Sequence, residues 1–166
     1  MTKAGIFYGS SSGKTEFVAW RIHKRLGEAK SELLDIADSS PQDFLKYELL
    51  ILGIPTWGIG ELQDDWMDFL SQLEDLDLSG RKVALFGLGD QESYPDTFAD
   101  ATGKVYDSLL HTGCEITGYC SAKGYDFIDS AALREGRFVG LILDEENQAE
   151  LTDSRIEEWL KSLPSI

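Results

Sequence analysis

The sequence is poor in basic residues and has no long apolar run. Its 15 lysines and arginines face 30 aspartates and glutamates, a formal net charge of −15. A field of that sign repels nucleic acid and anionic membrane surfaces, and it favours partners with basic patches. The longest apolar stretch, near residues 49–55, is far shorter than the about 20 residues of a membrane span. Because residues 1–8 show no secretory signal, we expect a cytoplasmic protein that binds neither nucleic acid nor membranes.

Cysteine and histidine are also scarce. On one strand, Cys114 and Cys120 would lie ~20 Å apart, too far for a disulfide, so we expect two reduced thiols. His23 and His111 have no companions at ligand spacing, which argues against a metal site.

What the sequence does contain is an alternation of strand and helix patterns. Near-continuous apolar runs are typical of parallel strands that are covered on both faces. Amphipathic spacing and a Ser-Pro helix start predict the helices between them. The alternation predicts one α/β domain over residues 1–166, an open parallel sheet with helices on both faces. The predicted strands are 4–8, 32–37, 48–54, 82–88 and 114–120, and the helices are 13–28, one from Ser40-Pro41, 96–112 and one from Thr152.

One segment interrupts this rhythm. Residues 120–137 form a long irregular stretch, and an apolar run follows without a clear helix before it. We interpret the segment as a loop insertion that splits the last strand. Trp20, Trp66 and Trp159 are expected to be packing residues.

The first predicted strand ends in a loop rich in glycine and serine, Gly9 to Thr15, and a helix follows at once. Free N–H groups and the helix dipole make such a helix start an anion site. A Walker A loop needs four residues between its first glycine and Gly-Lys-Thr, whereas Gly9 and Gly13 enclose three. A phosphate site without nucleotide hydrolysis is therefore favoured.

Two further strand ends carry aromatic residues. Trp57 lies between Pro55 and two glycines, and Tyr94 follows the Gly-rich end of the fourth strand. In an open parallel sheet these ends meet on one edge, where ligands bind. An anion loop with two aromatic side chains is suited to a phosphorylated aromatic ring system.

At these residues the chain resembles the flavodoxin family, over essentially its whole length. The matching segments are Phe7 to Thr15, Pro55 to Trp57, Gly87 to Tyr94 and Asp144 to Gln148. The resemblance implies a flavodoxin-like five-stranded parallel sheet of order 2-1-3-4-5, and the insertion resembles that of the long-chain type. It implies non-covalently bound FMN and a low-potential one-electron carrier rather than an enzyme.

The resemblance also implies roles for individual residues. The FMN phosphate would be held by Ser10, Ser11, Ser12, Gly13, Lys14 and Thr15. Trp57 would cover one face of the ring and Tyr94 the outer face. Gly58, Ile59 and Gly60 would approach N5, with Gly58 tuning the redox behaviour. The pyrimidine edge would meet Leu88, Gly89 and Asp90, and further contacts would come from Thr56 and Thr97.

The implied partners are basic-surfaced redox proteins: an NADP-linked flavodoxin reductase or a photosystem as donor, and low-potential acceptors such as nitrogenase. The protein is expected to be a monomer. Residues 61–77 carry seven acids and no lysine or arginine, which suits such partners and should lower the potential of the second electron.

Two alternatives share this fold. A flavin enzyme, such as a quinone or azo reductase, would need a substrate pocket over the ring and an acid–base residue near the three loops. A receiver-type signalling module would need an acidic cluster after the first strand and an aspartate after the third. Gly9-Ser10 and Pro55-Thr56 occupy those positions.

Overall fold

The alternating segments form an α/β fold in the computed structural model, which describes residues 3–165. Short 3₁₀ helices lie at Ile36–Asp38, Pro41–Lys46 and Ala149–Leu151. The strands and helices are β1 (Ala4–Tyr8), α1 (Lys14–Leu26), β2 (Ser31–Asp35), β3 (Leu49–Trp57), β4 (Glu61–Leu62), α2 (Asp64–Leu73), β5 (Lys82–Leu88), α3 (Asp100–Leu109), β6 (Glu115–Thr117), β7 (Cys120–Ser121), β8 (Leu133–Arg134), β9 (Arg137–Phe138), β10 (Leu141–Leu143) and α4 (Thr152–Ser162).

The main sheet has the expected order. β2, β1, β3 and β5 are neighbours and run parallel. The fifth position is shared by β6 and β10, which both pair in parallel with β5, at Lys82↔Glu115 and Phe86↔Leu141. The predicted order 2-1-3-4-5 with a split last strand is therefore confirmed. The short β4 was not predicted; it pairs antiparallel with the end of β3.

Apolar layers cover both faces of the sheet. Successive strand residues point to opposite sides, so each apolar strand contributes side chains to both layers. Leu50 and Leu52 lie in a cluster with Trp66 of α2, whereas Ile51 lies in a second cluster with Ile22 of α1. This double burial explains why the central strands are almost continuously apolar. Among residues 3–165, no helix is long and apolar enough to cross a membrane.

The tryptophan prediction holds for two residues and is wrong for the third. Trp66 and Trp159 are buried, and their indole N–H groups donate to the carbonyls of Gly53 and Gly118. Trp20 is 45% exposed, because it lies on the outer side of α1 beside Phe17. Trp20 is two positions away from both Val18 and Ile22 of the buried stripe, so helical spacing places it on the opposite side of α1.

The insertion is more ordered than expected. β7, β9 and β8 form a small antiparallel sheet, so the irregular stretch is not a plain loop. Phe138 is fully buried and packs against Phe98, Tyr125 and Phe127. These aromatic contacts connect the insertion to the segment that precedes α3.

Both cysteines are free thiols, at intermediate exposure. Burial raises the pKa of Cys120 to about 11, so its reactive thiolate is scarce at neutral pH.

Candidate functional site

The anion loop, residues 10–15, follows β1 and includes the first two residues of α1. The Ser10 hydroxyl accepts a hydrogen bond from the Gly13 N–H at 3.0 Å, which closes the turn. Gly13 has a φ of +91°, a left-handed conformation that glycine adopts without strain. Because α1 begins at Lys14, the N–H groups of Lys14, Thr15 and Glu16 have no carbonyl partner within the helix. The loop thus presents N–H donors and the positive helix end, as an anion site requires.

Two side chains from other segments, Gln63 and Glu146, contact this loop. Gln63 is buried, and its amide donates to the Ser11 hydroxyl at 3.1 Å and to the Asp65 carboxylate at 2.6 Å. The Lys14 ammonium forms an ion pair with Glu146 across the loop. Because its side chain is paired with Glu146, Lys14 offers a bound anion chiefly its backbone N–H.

The Trp57 loop, residues 57–60, is clamped at both ends by α3. Ala101 N–H donates to the Thr56 hydroxyl at 3.2 Å, and Lys104 donates to the Gly60 carbonyl at 2.7 Å. Trp57 itself is 43% exposed. Gly58 and Gly60 have φ values of +50° and +79°. The loop therefore presents a large aromatic ring on a backbone that depends on glycine.

The two glycines are expected to differ in their tolerance of a side chain. A Cβ at Gly58 would meet nothing closer than 3.9 Å, so Gly58→Ala should cost only the left-handed backbone penalty of about 1 kcal/mol. A Cβ at Gly60 would lie 2.9 Å from the Asp100 carboxylate, so Gly60→Ala should reduce the unfolding free energy by a larger amount. Urea unfolding of the flavin-free variants measures both. Equal losses would contradict this account of the clamp.

The Tyr94 loop, residues 88–97, begins at the last residue of β5. The Asp90 carboxylate accepts from Ser93 N–H at 2.9 Å and from the Asn147 amide at 2.8 Å. Partial burial acts to raise the pKa of Asp90, but these hydrogen bonds outweigh it and hold the pKa below its usual value. Tyr94 N–H donates to the Asp90 carbonyl, and the Tyr94 side chain is 42% exposed.

The three loops border one cavity of about 260 Å³, here called the strand-end cavity. Most of the predicted site residues line it. Some predicted residues in the described range 3–165 belong to the bordering loops but do not line the cavity: Ser10, Ser11, Gly13, Ile59 and Gly60. The predicted residues that line the cavity are Ser12, Lys14, Thr15, Thr56, Trp57, Gly58, Leu88, Gly89, Asp90, Tyr94 and Thr97.

Other lining residues were missing from the predicted site: Pro55, Phe98, Ala99, Glu145 and Glu146. Pro55 and the two glutamates lie in matched segments, so the resemblance contained a signal for them. Phe98 and Ala99 had none, because only the folded Tyr94 loop brings them beside Gly89. A Cβ at Gly89 would lie 2.9 Å from the Ala99 nitrogen, which explains the glycine there.

Charge around the cavity is unevenly compensated. Glu145 pairs with Arg21 at 3.3 Å, and Glu146 pairs with Lys14. By contrast, no carboxylate of the acidic segment, residues 61–77, lies within 4.0 Å of a basic nitrogen in the described part of the chain. This segment leaves the Trp57 loop and ends beyond α2, so an uncompensated negative surface adjoins the cavity.

The cavity lies at the carboxyl ends of β1, β3 and β5, where the strand order reverses between β1 and β3. This is the binding position of doubly wound α/β proteins, and here it joins an anion loop to two exposed aromatic rings. The Flavodoxin family model matches residues 6–159. The chain belongs to the flavodoxin family, and its insertion agrees with the long-chain type.

Similar proteins cover almost the whole chain. A flavodoxin of Synechocystis sp. is 44% identical over 167 residues, which span 100% of this chain and 98% of that protein. A flavodoxin of Nostoc sp. is 48% identical over 163 residues, 98% of this chain and 96% of the relative. The solved structure of Fusobacterium nucleatum flavodoxin bound to flavin mononucleotide is 32% identical, with a TM-score of 0.92 over 97% of this chain and 96% of that one.

Proposed function

We propose that the protein is a one-electron carrier that holds one FMN in the strand-end cavity, with residues 1–166 acting as a single FMN-binding domain. One observation supports the proposal most strongly. The N-terminus of α1, which can bind an anion, and the exposed side chains of Trp57 and Tyr94 border the same cavity, where the strand order reverses between β1 and β3. The similarity to an FMN-bound flavodoxin supports it.

The residues present fit FMN. The N–H groups at the start of α1 and the hydroxyls of the anion loop suit a phosphate, and Ser10 already holds Gly13 in the required turn. Trp57 and Tyr94 would cover the two faces of the ring and limit its contact with water. The remaining predicted residues would keep the roles stated above: Gly58 to Gly60 near N5, and Leu88 to Asp90 at the pyrimidine edge. FMN supplies the one-electron chemistry when bound.

A carrier is favoured over a flavin enzyme. The lining of the strand-end cavity contains no histidine or cysteine among the described residues. The acids that line it are Asp90, Glu145 and Glu146, and each has a hydrogen-bonding or ionic partner. The chain therefore offers groups that bind and orient a flavin; its cavity-lining carboxylates are already engaged, and the Tyr94 phenol would stack on the ring.

The test is to purify the protein and measure its flavin. We expect one FMN per chain, reversible reduction in single-electron steps, and no steady-state oxidation of NAD(P)H by the protein alone. A colourless protein that binds no added FMN would refute the proposal. Rapid NAD(P)H turnover would favour the enzyme alternative.

We propose further that the acidic segment docks basic-surfaced redox partners, such as an NADP-linked flavodoxin reductase and low-potential acceptors. Its uncompensated charge beside the Trp57 loop supports this, because a charged surface steers encounter over about one Debye length. We expect a monomer in the cytoplasm, where free thiols such as Cys114 and Cys120 persist.

Neutralising exposed acids of this segment should slow electron transfer. The combined change Asp64→Asn, Asp68→Asn and Asp75→Asn should lower the second-order rate with the reductase by about tenfold at low salt. FMN affinity should change much less, by about twofold at most, and any change should be an increase because less negative charge opposes the phosphate. Asp65 is left intact because it accepts a hydrogen bond from Gln63, which supports the anion loop. Stopped-flow kinetics over a range of ionic strengths measure the effect.

The matched control carries the same charge change near the amino ends of the strands, opposite the cavity: Glu28→Gln before β2, Glu48→Gln before β3 and Glu115→Gln at the start of β6. It should slow the reaction much less. An equal effect would mean that net charge matters and the acidic segment does not. A rate that is indifferent to salt would contradict electrostatic docking altogether.

A further inference from the structure

Asp144 is a fully buried carboxylate directly after β10, behind the strand-end cavity. Its neighbours Glu145 and Glu146 line the cavity. We propose that Asp144 is a positioning residue, which holds the Tyr94 loop in its binding conformation before any flavin arrives. The inference deepens the proposed function and rests on it.

The two oxygens of Asp144 serve two different segments. Oδ1 accepts from the backbone N–H groups of Glu146 and Asn147, at 3.1 Å and 3.0 Å. Oδ2 accepts from Gln91 N–H at 3.1 Å, from the Gln91 amide at 2.7 Å and from the Asn147 amide at 2.9 Å. Five donors on one buried carboxylate fix its orientation and join the turn after β10 to the Tyr94 loop.

The connection extends in both directions. The Asn147 amide also donates to Asp90 at 2.8 Å, so the same side chain links Asp144 to a residue that lines the cavity. On the other side, the side-chain oxygen Oε1 of Gln91 accepts from Asp126 N–H of the insertion at 2.6 Å. Asp144 is thus the centre of a network that reaches the cavity wall and the insertion.

This network is directed to one half of the site. It holds Asp90 and the segment that carries Tyr94, which would bind the ring. Asp144 makes no hydrogen bond with the anion loop in the described structure, and its route there through Glu146 is the exposed Lys14–Glu146 ion pair, which contributes little. A loss of the network should therefore weaken ring binding and leave the phosphate contribution in place. Global destabilisation would not produce that pattern.

Asp144→Asn is the decisive variant. An asparagine has one acceptor oxygen and one NH₂ group. Its NH₂ group must therefore point at the N–H groups that bind either Oδ1 or Oδ2 of Asp144, and those hydrogen bonds are lost. If the Oδ2 set is lost, Gln91 is released; if the Oδ1 set is lost, the turn that carries Asn147 is released. Either way the Tyr94 loop loses a charge-assisted tether.

We expect Asp144→Asn to weaken FMN and riboflavin binding by a similar factor, about tenfold or more, so that the ratio of the two affinities changes less than about threefold. In the flavin-free protein, hydrogen exchange at the Gln91 and Tyr94 amides should become at least about tenfold faster, while exchange in β1 and β3 stays the same.

Gln91→Leu is the second variant, in case Asp144→Asn fails to fold. It removes the side-chain links to Asp144 and Asp126 but keeps the backbone N–H, and it should shift the same measurements in the same direction. Thr112→Val is the control, because Thr112 is as buried as Gln91 but its hydroxyl donates to the Leu109 carbonyl, at the far end of α3. It should change neither the flavin affinities nor the exchange of the Tyr94 loop.

Unchanged flavin affinity and unchanged exchange in Asp144→Asn or Gln91→Leu would overturn the inference. So would a selective loss of FMN affinity without loss of riboflavin affinity. Should the wild-type protein bind neither flavin, the proposed function fails, and the exchange experiment on the flavin-free protein still decides whether Asp144 holds the loop.

Discussion

Riboflavin, which lacks the phosphate, is expected to bind the flavin-free protein at least about a hundredfold more weakly than FMN. The start of α1 offers N–H groups of Lys14, Thr15 and Glu16 to an anion. Charge-assisted hydrogen bonds contribute about 1.5–3 kcal/mol each, so two of them already account for a hundredfold or more. Repulsion from the overall charge of −15 works against the phosphate and reduces the difference in affinity between FMN and riboflavin towards this hundredfold limit.

Flavin fluorescence quenching in titrations at one ionic strength measures both affinities. Ser10→Ala should reduce the ratio of FMN to riboflavin affinity several-fold, because the Gly13 N–H then loses the acceptor that closes the turn. Ser71→Ala, at an exposed serine of α2 whose hydroxyl donates to the Asp68 carbonyl, is the matched control and should leave the ratio of FMN to riboflavin affinity unchanged. Equal affinities for FMN and riboflavin in the wild-type protein would refute a phosphate role for the anion loop.

Much of this arrangement could be predicted from local sequence. Buried parallel strands need continuous apolar residues, so β1, β3 and β5 were recognisable with bounds close to those observed. The anion loop was recognisable because its glycines and serines follow a strand and precede a helix within a few residues. In both cases the signal and the structure it determines lie within about ten residues of each other.

The rest depends on contacts between distant segments. Gln63 supports the anion loop from 52 residues away, and Asp144 reaches Gln91 across 53 residues. No periodicity or turn signal marks such pairs, because each side chain is unremarkable until the fold brings its partner near. The ordered insertion shows the same limit: β7, β8 and β9 have two residues each, too few to display an alternating pattern.

Trp57→Ala is expected to reduce FMN affinity by about 30-fold, which corresponds to ~2 kcal/mol. Trp57 lines the strand-end cavity on a loop whose ends are clamped by α3, so its ring is held ready to stack on a flavin. At 43% exposure it contributes little to the core, and the stability of the flavin-free protein should change by less than about 1 kcal/mol. Trp57→Phe, which keeps an aromatic face, should lose only about threefold.

The chain supplies a matched control in Trp20, which is 45% exposed but lies on α1, outside the cavity lining. Trp20→Ala removes the same side chain at nearly the same exposure, so any general effect of losing a surface tryptophan appears in both variants. We expect its FMN affinity to equal that of the wild type within experimental error. Equal losses in the two variants, or no loss in Trp57→Ala, would show that Trp57 does not stack on the flavin, and ring binding would then rest on the Tyr94 loop.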